Sequence, residues 1–350
     1  MKMSNLKPSI YDSQKSDIEK VVDKLGYETY RTTQIWEGLY KHGWSNPVEF
    51  LNIPLSLREE LEKEFDFNIL LPEKSILSKD LNTEKIRFRL RDNLAVETVL
   101  MRYQKRNTVC ISTQVGCAMD CKFCATGRMG FKRNLYSGEI VAQVMVISKK
   151  LILESKRLTN IVVMGMGEPF LNYENTLGAI RILNDKSGFK FGSRRFTIST
   201  VGIVPMIKRF TSEKLQINLA ISLHAAENSL RSKLLPINKK YSIEDIFDAC
   251  DQYIHTTHRR VSLEWALIRN VNDDSRQAIM LSQKIKGKNY HVNLIPLNSS
   301  EFFQGESSPT GRVLAFKEII EESGISCSVR LRRGIDIQAG CGQLLDIYSN

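Results

Sequence analysis

Cys117, Cys121 and Cys124 stand in the run Cys-Ala-Met-Asp-Cys-Lys-Phe-Cys. Three thiolates spaced in this way can hold three corners of a four-iron, four-sulfur cube. The next cysteines along the chain are Cys110 and Cys250, so the fourth iron would stay open to bind something other than protein. An open iron beside a low-potential electron source suits radical chemistry better than plain electron transfer. The rival reading is a zinc site, which normally wants a fourth ligand, and His224 could supply one only from a distant strand. The chain has seven cysteines. That odd count, with three too close together for a disulfide framework, fits metal ligation in a reducing compartment.

The elements that must position these residues belong to a chain of 350 residues, 42% hydrophobic and 25% charged. That is enough for one large core and a small accessory domain. The N-terminus has no apolar core of a signal peptide, and no apolar run approaches the ~20 residues of a membrane span. The expectation is a soluble, cytoplasmic protein with no membrane partner. The formal net charge is +11, unevenly spread: residues 1–72 hold nine basic and twelve acidic side chains, so the remainder carries the excess. Basic clusters stand at Arg128, Lys132 and Arg133, at Arg194 and Arg195, at Lys239 and Lys240, at Arg259 and Arg260, and at Arg330, Arg332 and Arg333. They suit a polyanion or, equally, a well-solvated surface.

Periodicity divides the chain. Ile18, Val21, Val22 and Leu25 fall at helical spacing, with Gly26 as a stop; Ile35 and Leu39 mark a second helix and Leu57, Leu61 and Phe65 a third. Pro72 closes this helical block. Ile86, Phe88 and Leu90 then alternate with Lys85, Arg87, Arg89 and Arg91, a strand with one wet face. Asp92 and Asn93 turn the chain into a second strand, giving a hairpin between two domains. Beyond it, strands expected at 108–113, 160–166, 194–200, 217–223, 260–268, 290–296 and 326–332 alternate with helices near 137–154, 173–184, 204–213, 242–256, 275–286 and 310–323. Such alternation predicts parallel strands with crossover helices, here an incomplete β/α barrel. Ligands of such folds gather at the C-terminal strand ends, and the cysteine run directly follows the first barrel strand. The expected division is 1–72 helical accessory domain, 73–102 hairpin linker and 103–350 barrel.

The segment Cys117–Gly127, followed by Gly130-Phe131-Lys132-Arg133-Asn134-Leu135, resembles the radical S-adenosylmethionine enzymes. More narrowly it resembles the RlmN/Cfr family of RNA adenosine methyltransferases. The likeness continues through Met164–Pro169, Ser199–Gly202, Ser222–His224, Pro236–Tyr241, Val292–Pro296 and Gly334–Leu344. The fold implied is an α/β, partial (β/α)6 radical SAM barrel with a small helical accessory domain and a connecting β-hairpin. The cofactors implied are a 4Fe–4S cluster on Cys117, Cys121 and Cys124, and S-adenosylmethionine, two per turnover, one as methyl donor and one as radical source. Matching family positions place S-adenosylmethionine against Gly167, Glu168, Ser199, Ser222, Leu223, His224 and Asn298. Cys341 would carry the methyl group and Cys110 would free the product, leaving a transient disulfide; Glu97 would be the acid/base residue beside the adenine. The partners implied are 23S rRNA, in some members tRNA, and an external electron donor such as flavodoxin or ferredoxin.

Taken alone, the same residues have plainer readings. Cys341 is an inert loop thiol, Cys110 a small buried hydrophobe, Glu97 a solvated strand carboxylate and His224 a hydrogen-bonded strand-end histidine. Cys250 and Cys327 match no family role. Pro169, the run Ile295–Asn298 and Arg332-Arg333-Gly334 look like the branch that methylates adenine C2; the other branch methylates C8 of the same rRNA adenosine and confers antibiotic resistance. Thr113 and Phe170 depart from the family pattern without removing a catalytic group. A different class, an RNA-binding iron–sulfur or zinc protein without turnover, would need neither Cys110 nor Cys341.

Overall fold

The computed structural model describes residues 7–298, 302–330 and 332–345. Three helices open the chain. In α1 (Lys15–Lys24) Ile18, Val21 and Val22 are buried on one face. The second helix, α2 (Tyr30–Glu37), runs into a π-helical turn over Gly38–His42 and ends at the left-handed Gly43. The third, α3 (Leu55–Glu64), buries Leu57 and Leu61. Their apolar faces meet the barrel, where Lys149 reaches Glu49 at 2.7 Å.

Three antiparallel strands follow: β1 (Leu70–Leu77), β2 (Thr83–Leu90) and β3 (Ala95–Arg102). Residues 70–77 differ from the sequence reading, which ends the helical block at Pro72. β1 is an edge strand, exposed along most of its length, with a register shift between Pro72 and Lys74. An edge is where a sheet tolerates proline, and without a buried face the strand shows no alternation. The turn at Asp92 and Asn93 is as expected, with Asn93 in the left-handed region.

The β/α repeats begin at β4 (Asn107–Ile111). A two-residue ladder of β5 (Gln114–Val115) and β6 (Arg133–Asn134) brackets α4 (Ala125–Arg128). The repeats continue as α5 (Ser137–Leu153), β7 (Asn160–Val163), α6 (Tyr173–Asn184), β8 (Phe196–Thr200), α7 (Val204–Ser212), β9 (Asn218–Ser222), α8 (Asn228–Leu234) and α9 (Ile243–Thr257). They close with β10 (Val261–Leu267), α10 (Ser275–Ile285), β11 (Tyr290–Pro296), α11 (Thr310–Glu322) and β12 (Ser326–Val329). The sheet order is β1-β2-β3-β4-β7-β8-β9-β10-β11-β12, parallel from β4 onward. It does not close on itself, so β1 and β12 are its edges. The hairpin is thus no free linker: β3 pairs with β4 and carries the barrel sheet outward. Among the described residues no helix is long and apolar enough to cross a membrane.

Register fixes which side chains share a face. Lys85 pairs with Val99 and Val99 with Cys110. Side chains alternate along a strand, so Lys85, Glu97, Val99, Met101 and Cys110 stand on one side of the sheet. That side is dry where the strand begins and wet only toward Arg89. Lys85 is 7% exposed, because the C-terminal segment folds back over the hairpin: Lys85 Nζ donates to Gln338 O at 3.3 Å.

Candidate active site

The cysteine run leaves β5 through Gly116, whose φ of +71° suits glycine. A Cβ there would meet Gly130 O at 1.7 Å, so the loop closes only without a side chain. The loop is held by Cys124 N donating to Cys121 O at 3.0 Å and Lys122 N to Leu234 O at 3.0 Å. Its far end is stitched to the C-terminal segment: Ala125 N donates to Gly342 O at 2.8 Å and Thr126 Oγ1 to Leu344 O at 2.7 Å. Sequence neighbours more than 200 residues apart thereby line one cavity at the C-terminal strand ends.

Eleven of the thirteen expected residues border that cavity: Cys110, Cys117, Cys121, Cys124, Gly167, Glu168, Ser199, Ser222, His224, Asn298 and Cys341. Burial pushes the thiols of Cys110 and Cys117 up to about 12 and raises those of Cys121 and Cys124 as well, and the cluster thiols add to one another. Three soft sulfurs held protonated in a half-buried wall are a donor set that loses its protons to a cation rather than to water, as iron–sulfur ligation requires. Among the described residues no three His, Cys, Asp or Glu side chains form a group able to hold a single metal ion.

Gly167, with φ of +102°, presses on Gln114, where a Cβ would come to 2.6 Å. It delivers Glu168 to the cavity wall. Glu168 Oε2 accepts from Val201 N and Oε1 from Phe170 N, both at 2.9 Å. Burial outweighs these bonds and lifts the carboxyl to about 7. A ligand ammonium would restore its charge. Ser199 and Ser222, on neighbouring strands, lie 3.5 Å apart through their hydroxyls.

Burial, with help from Arg231, pushes His224 down to about 3. Its Nδ1 accepts from Ala266 N at 2.9 Å, so the neutral ring carries its proton on Nε2 and offers a donor. Phe123 packs edge-on against it, ring centres 4.8 Å apart. The expected role of His224 and the plain one coexist: it is a hydrogen-bonded strand-end residue that also lines the cavity. Asn298 Nδ2 donates to Cys341 O at 3.3 Å.

Two expected residues lie elsewhere. Leu223 sits between Ser222 and His224, so alternation turns its side chain away into the core, where it is fully buried. Glu97 opens to a second pocket with Lys85, Arg87, Gln338 and Leu345. It is neither solvated nor in the cysteine cavity: Lys85 Nζ lies 2.9 Å from Oε1, and Leu345 N donates to Oε2 at 3.0 Å. The C-terminal segment stands between the two pockets.

Sequence reasoning passed over several groups. Arg231 is fully buried and donates to the carbonyls of Leu223 (3.1 Å), Val201 (2.6 Å) and Ser222 (3.1 Å) and to Asn238 Oδ1 (3.0 Å). Burial lowers it to about 10. It ties the ends of β8 and β9 together beside the cluster loop. Arg330, read only as part of a basic cluster, donates to Cys341 Sγ at 3.3 Å. Arg332 and Arg333 line the cavity too. Tyr103 lies between Arg106 and Arg333, with their guanidinium carbons 4.2 and 4.3 Å from its ring centre. By contrast Arg194, Arg195, Arg259 and Arg260 precede β8 and β10, at the opposite end of the strands from the cavity.

Residues 111–282 match the Radical SAM superfamily. The chain is 44% identical over 333 residues to a protein of Dictyoglomus turgidum named probable dual-specificity RNA methyltransferase RlmN, covering 95% of each chain. A Bacillus thuringiensis protein of the same name is 41% identical over 338 residues, covering 97% of this chain and 93% of its own. The crystal structure of a radical SAM methyltransferase from Sphaerobacter thermophilus matches with a TM-score of 0.93 at 42% identity, over 96% of this chain and 99% of that one.

Proposed function

Because the chain belongs to the RlmN family of radical SAM RNA methyltransferases, we propose that it methylates C2 of an adenosine in 23S rRNA and in tRNA. The observation that carries this reading is the meeting of five cysteines, Cys110, Cys117, Cys121, Cys124 and Cys341, around one cavity. A binding protein without turnover has no use for Cys110 and Cys341.

When bound, a 4Fe–4S cluster on Cys117, Cys121 and Cys124 and two molecules of S-adenosylmethionine supply one methyl group and one hydrogen-abstracting radical. Gly167 and Glu168 hold the amino end of the bound cofactor. Ser199, Ser222, His224 through Nε2–H, Asn298 and the backbone at Leu223 hold the rest. Cys341, as a thiolate, takes the methyl group by displacement. Adenine C2 is electron-poor and cannot attack a sulfonium directly, so the S-methyl group on Cys341 gives up a hydrogen atom and joins the ring as a carbon radical. Glu97 accepts the ring proton that must then leave, which requires the segment 337–345 to shift from between the two pockets. The unpaired electron left on the ring would go to the acceptor that the cluster held by Cys117, Cys121 and Cys124 would supply after giving up its own electron. Cys110, as a thiolate, attacks the Cys341 sulfur, the electron pair of the breaking S–CH2 bond stays on the carbon borne by the base, which takes up a proton to become the methyl group, and the disulfide left behind is returned to thiols by an external reductant. Flavodoxin or ferredoxin fits as electron donor. The RNA enters where Tyr103, Arg106, Arg332 and Arg333 stand at the cavity end.

We divide the chain into a helical accessory domain (1–72), the hairpin (73–102) and the barrel core (103–350), with β1 crossing the first boundary and the sheet running on through the second. The test is air-free reconstitution with rRNA or tRNA, followed by nucleoside mass spectrometry. 2-Methyladenosine is expected. 8-Methyladenosine would move the chain to the other branch, and no 5′-deoxyadenosine under reducing conditions would end the radical reading.

A further inference from the structure

We propose that Tyr103 is the stacking platform for an unpaired RNA base next to the target adenosine. Arg106, which covers the ring in the free protein, yields its place to that base and turns to the phosphate backbone. The inference deepens the RNA reading above and rests on it. Tyr103 and Arg106 close the turn from β3 into β4, where Tyr103 N donates to Arg106 O at 2.8 Å. Met101 pairs with Thr108 one step further in, and Val99 with Cys110 beyond. Alternation therefore puts Tyr103 and Arg106 on the sheet face that carries Val99 and Cys110. Tyr103 is half-buried and lines the cysteine cavity, whereas Arg106 is exposed at its rim. The Tyr103 hydroxyl donates to Met101 Sδ at 3.7 Å, so the phenol points back along β3.

The ring lies between two cations, with the guanidinium carbons of Arg106 and Arg333 4.2 and 4.3 Å from its centre. Arg333 is tethered, since its Nη1 donates to Arg102 O at 3.2 Å. Elsewhere a guanidinium over a tyrosine also meets a carboxylate: Arg133 over Tyr136 pairs with Glu139, and Arg209 over Tyr173 with Glu174. Among the described residues neither Arg106 nor Arg333 forms such a pair. Asp80, which feels the charge of Arg333, accepts from Ser78 and Asn82 instead. Two like charges around one ring without a counter-charge call for an anion, and the π-face between them calls for a flat partner. A nucleotide brings both, and unpaired RNA is bound by stacking its bases on aromatic rings while cations follow its phosphates. The stacked base is not the one that reacts. Arg106 stands four residues before Cys110, about 13 Å along the strand, too far for a base on Tyr103 to meet the Cys110 thiol.

The experiment uses the full chain with its cluster reconstituted and a fluorescein-labelled synthetic stem–loop RNA whose loop holds one adenosine among pyrimidines. Binding is followed by anisotropy over a salt series. Losing one stacked base weakens binding about five- to a hundredfold. Tyr103→Ala should fall by that factor. Tyr103→Leu, which keeps bulk against Arg333, should fall with it, and Tyr103→Phe should stay near wild type. Arg106→Met should lower the slope of log affinity against log salt by about 0.7, one phosphate contact on a single strand, while Tyr103→Ala leaves the slope unchanged. An abasic site is then placed on the 5′ and on the 3′ side of the adenosine. At one of these positions it should cost wild type what Tyr103→Ala costs, and cost Tyr103→Ala nothing more. A ring that only props the turn would show no such coupling. Binding by Tyr103→Ala and Tyr103→Leu within about twofold of wild type, or equal abasic losses in wild type and Tyr103→Ala, would overturn the proposal, as would a wild type that does not bind the loop. If the loop binds and couples but nucleoside mass spectrometry finds no 2-methyladenosine, the C2 reading fails and the platform stands.

Discussion

The two pockets on one face of the sheet differ in how their charges are settled. In the cysteine cavity, burial holds Cys110 and Cys117 protonated, Glu168 near 7 and His224 neutral, so each of these groups waits for a ligand to fix its state. In the second pocket Glu97 already has Lys85 and a backbone N–H. The cysteines are gathered in the resting chain, and the carboxylate that the proposed relay calls for is shut behind residues 337–345. Barrel strand ends collect the first set. The antiparallel extension of the sheet holds the second.

The largest expected effects break the cavity side. Cys341→Ala should lower methylated product by at least about a thousandfold, since it removes the carrier of the methyl group itself. Cys110→Ala should stop turnover at a different point and accumulate a covalent protein–RNA adduct, visible as a shifted band on a denaturing gel. Normal product yield from either variant would remove that thiol from the reaction.

The next effect tests the other pocket. As a proton acceptor Glu97 is worth about a hundred- to ten-thousandfold in rate; as one half of a buried ion pair it is worth about 3–5 kcal/mol when its partner is lost. Glu97→Gln and Lys85→Met separate the two. Both should lower the unfolding midpoint, and only Glu97→Gln should depress the rate at saturating RNA by about a hundredfold. Equal rate losses in the two variants would make Glu97 a structural clamp.

These differences also explain what could be read from the sequence. The parallel strands and their helices were legible to within a few residues, because strands buried on both faces are apolar runs and their crossover helices carry a clean stripe. β1 was not, having no buried face to generate a pattern. The cysteine run was legible because its spacing is local. The burial of Glu97 is not legible because the segment that covers it lies more than 200 residues away in sequence. Arg231 was invisible for a similar reason: its partners are carbonyls at the ends of β8 and β9, and no residue type in the sequence marks a carbonyl as an acceptor. Arg231→Met should strand four acceptors and cost about 3 kcal/mol of stability in urea unfolding; a midpoint within error of wild type would show that water replaces the guanidinium.

The smallest effect contrasts two residues of the cavity itself, in the chain stripped of cofactors. Glu168 moves up from its ordinary 4.5 to about 7. Between those values the folded chain keeps a proton that the unfolded chain has released, so stability falls as pH rises. His224 moves down from its ordinary 6.5 to about 3. Between those values the unfolded chain binds a proton that the folded chain refuses, so stability rises with pH. Each slope approaches about 1.4 kcal/mol per pH unit. They oppose one another from about pH 4.5 to 6.5, and wild-type stability should be nearly level there as far as these two groups decide it. Glu168→Gln removes the falling slope and should leave stability climbing through that window, whereas His224→Gln should leave it declining. Two variants with the same pH dependence as wild type would mean that water reaches both groups, and burial would be lost as the reason why their charges stay unsettled while those of the Glu97 pocket are paired.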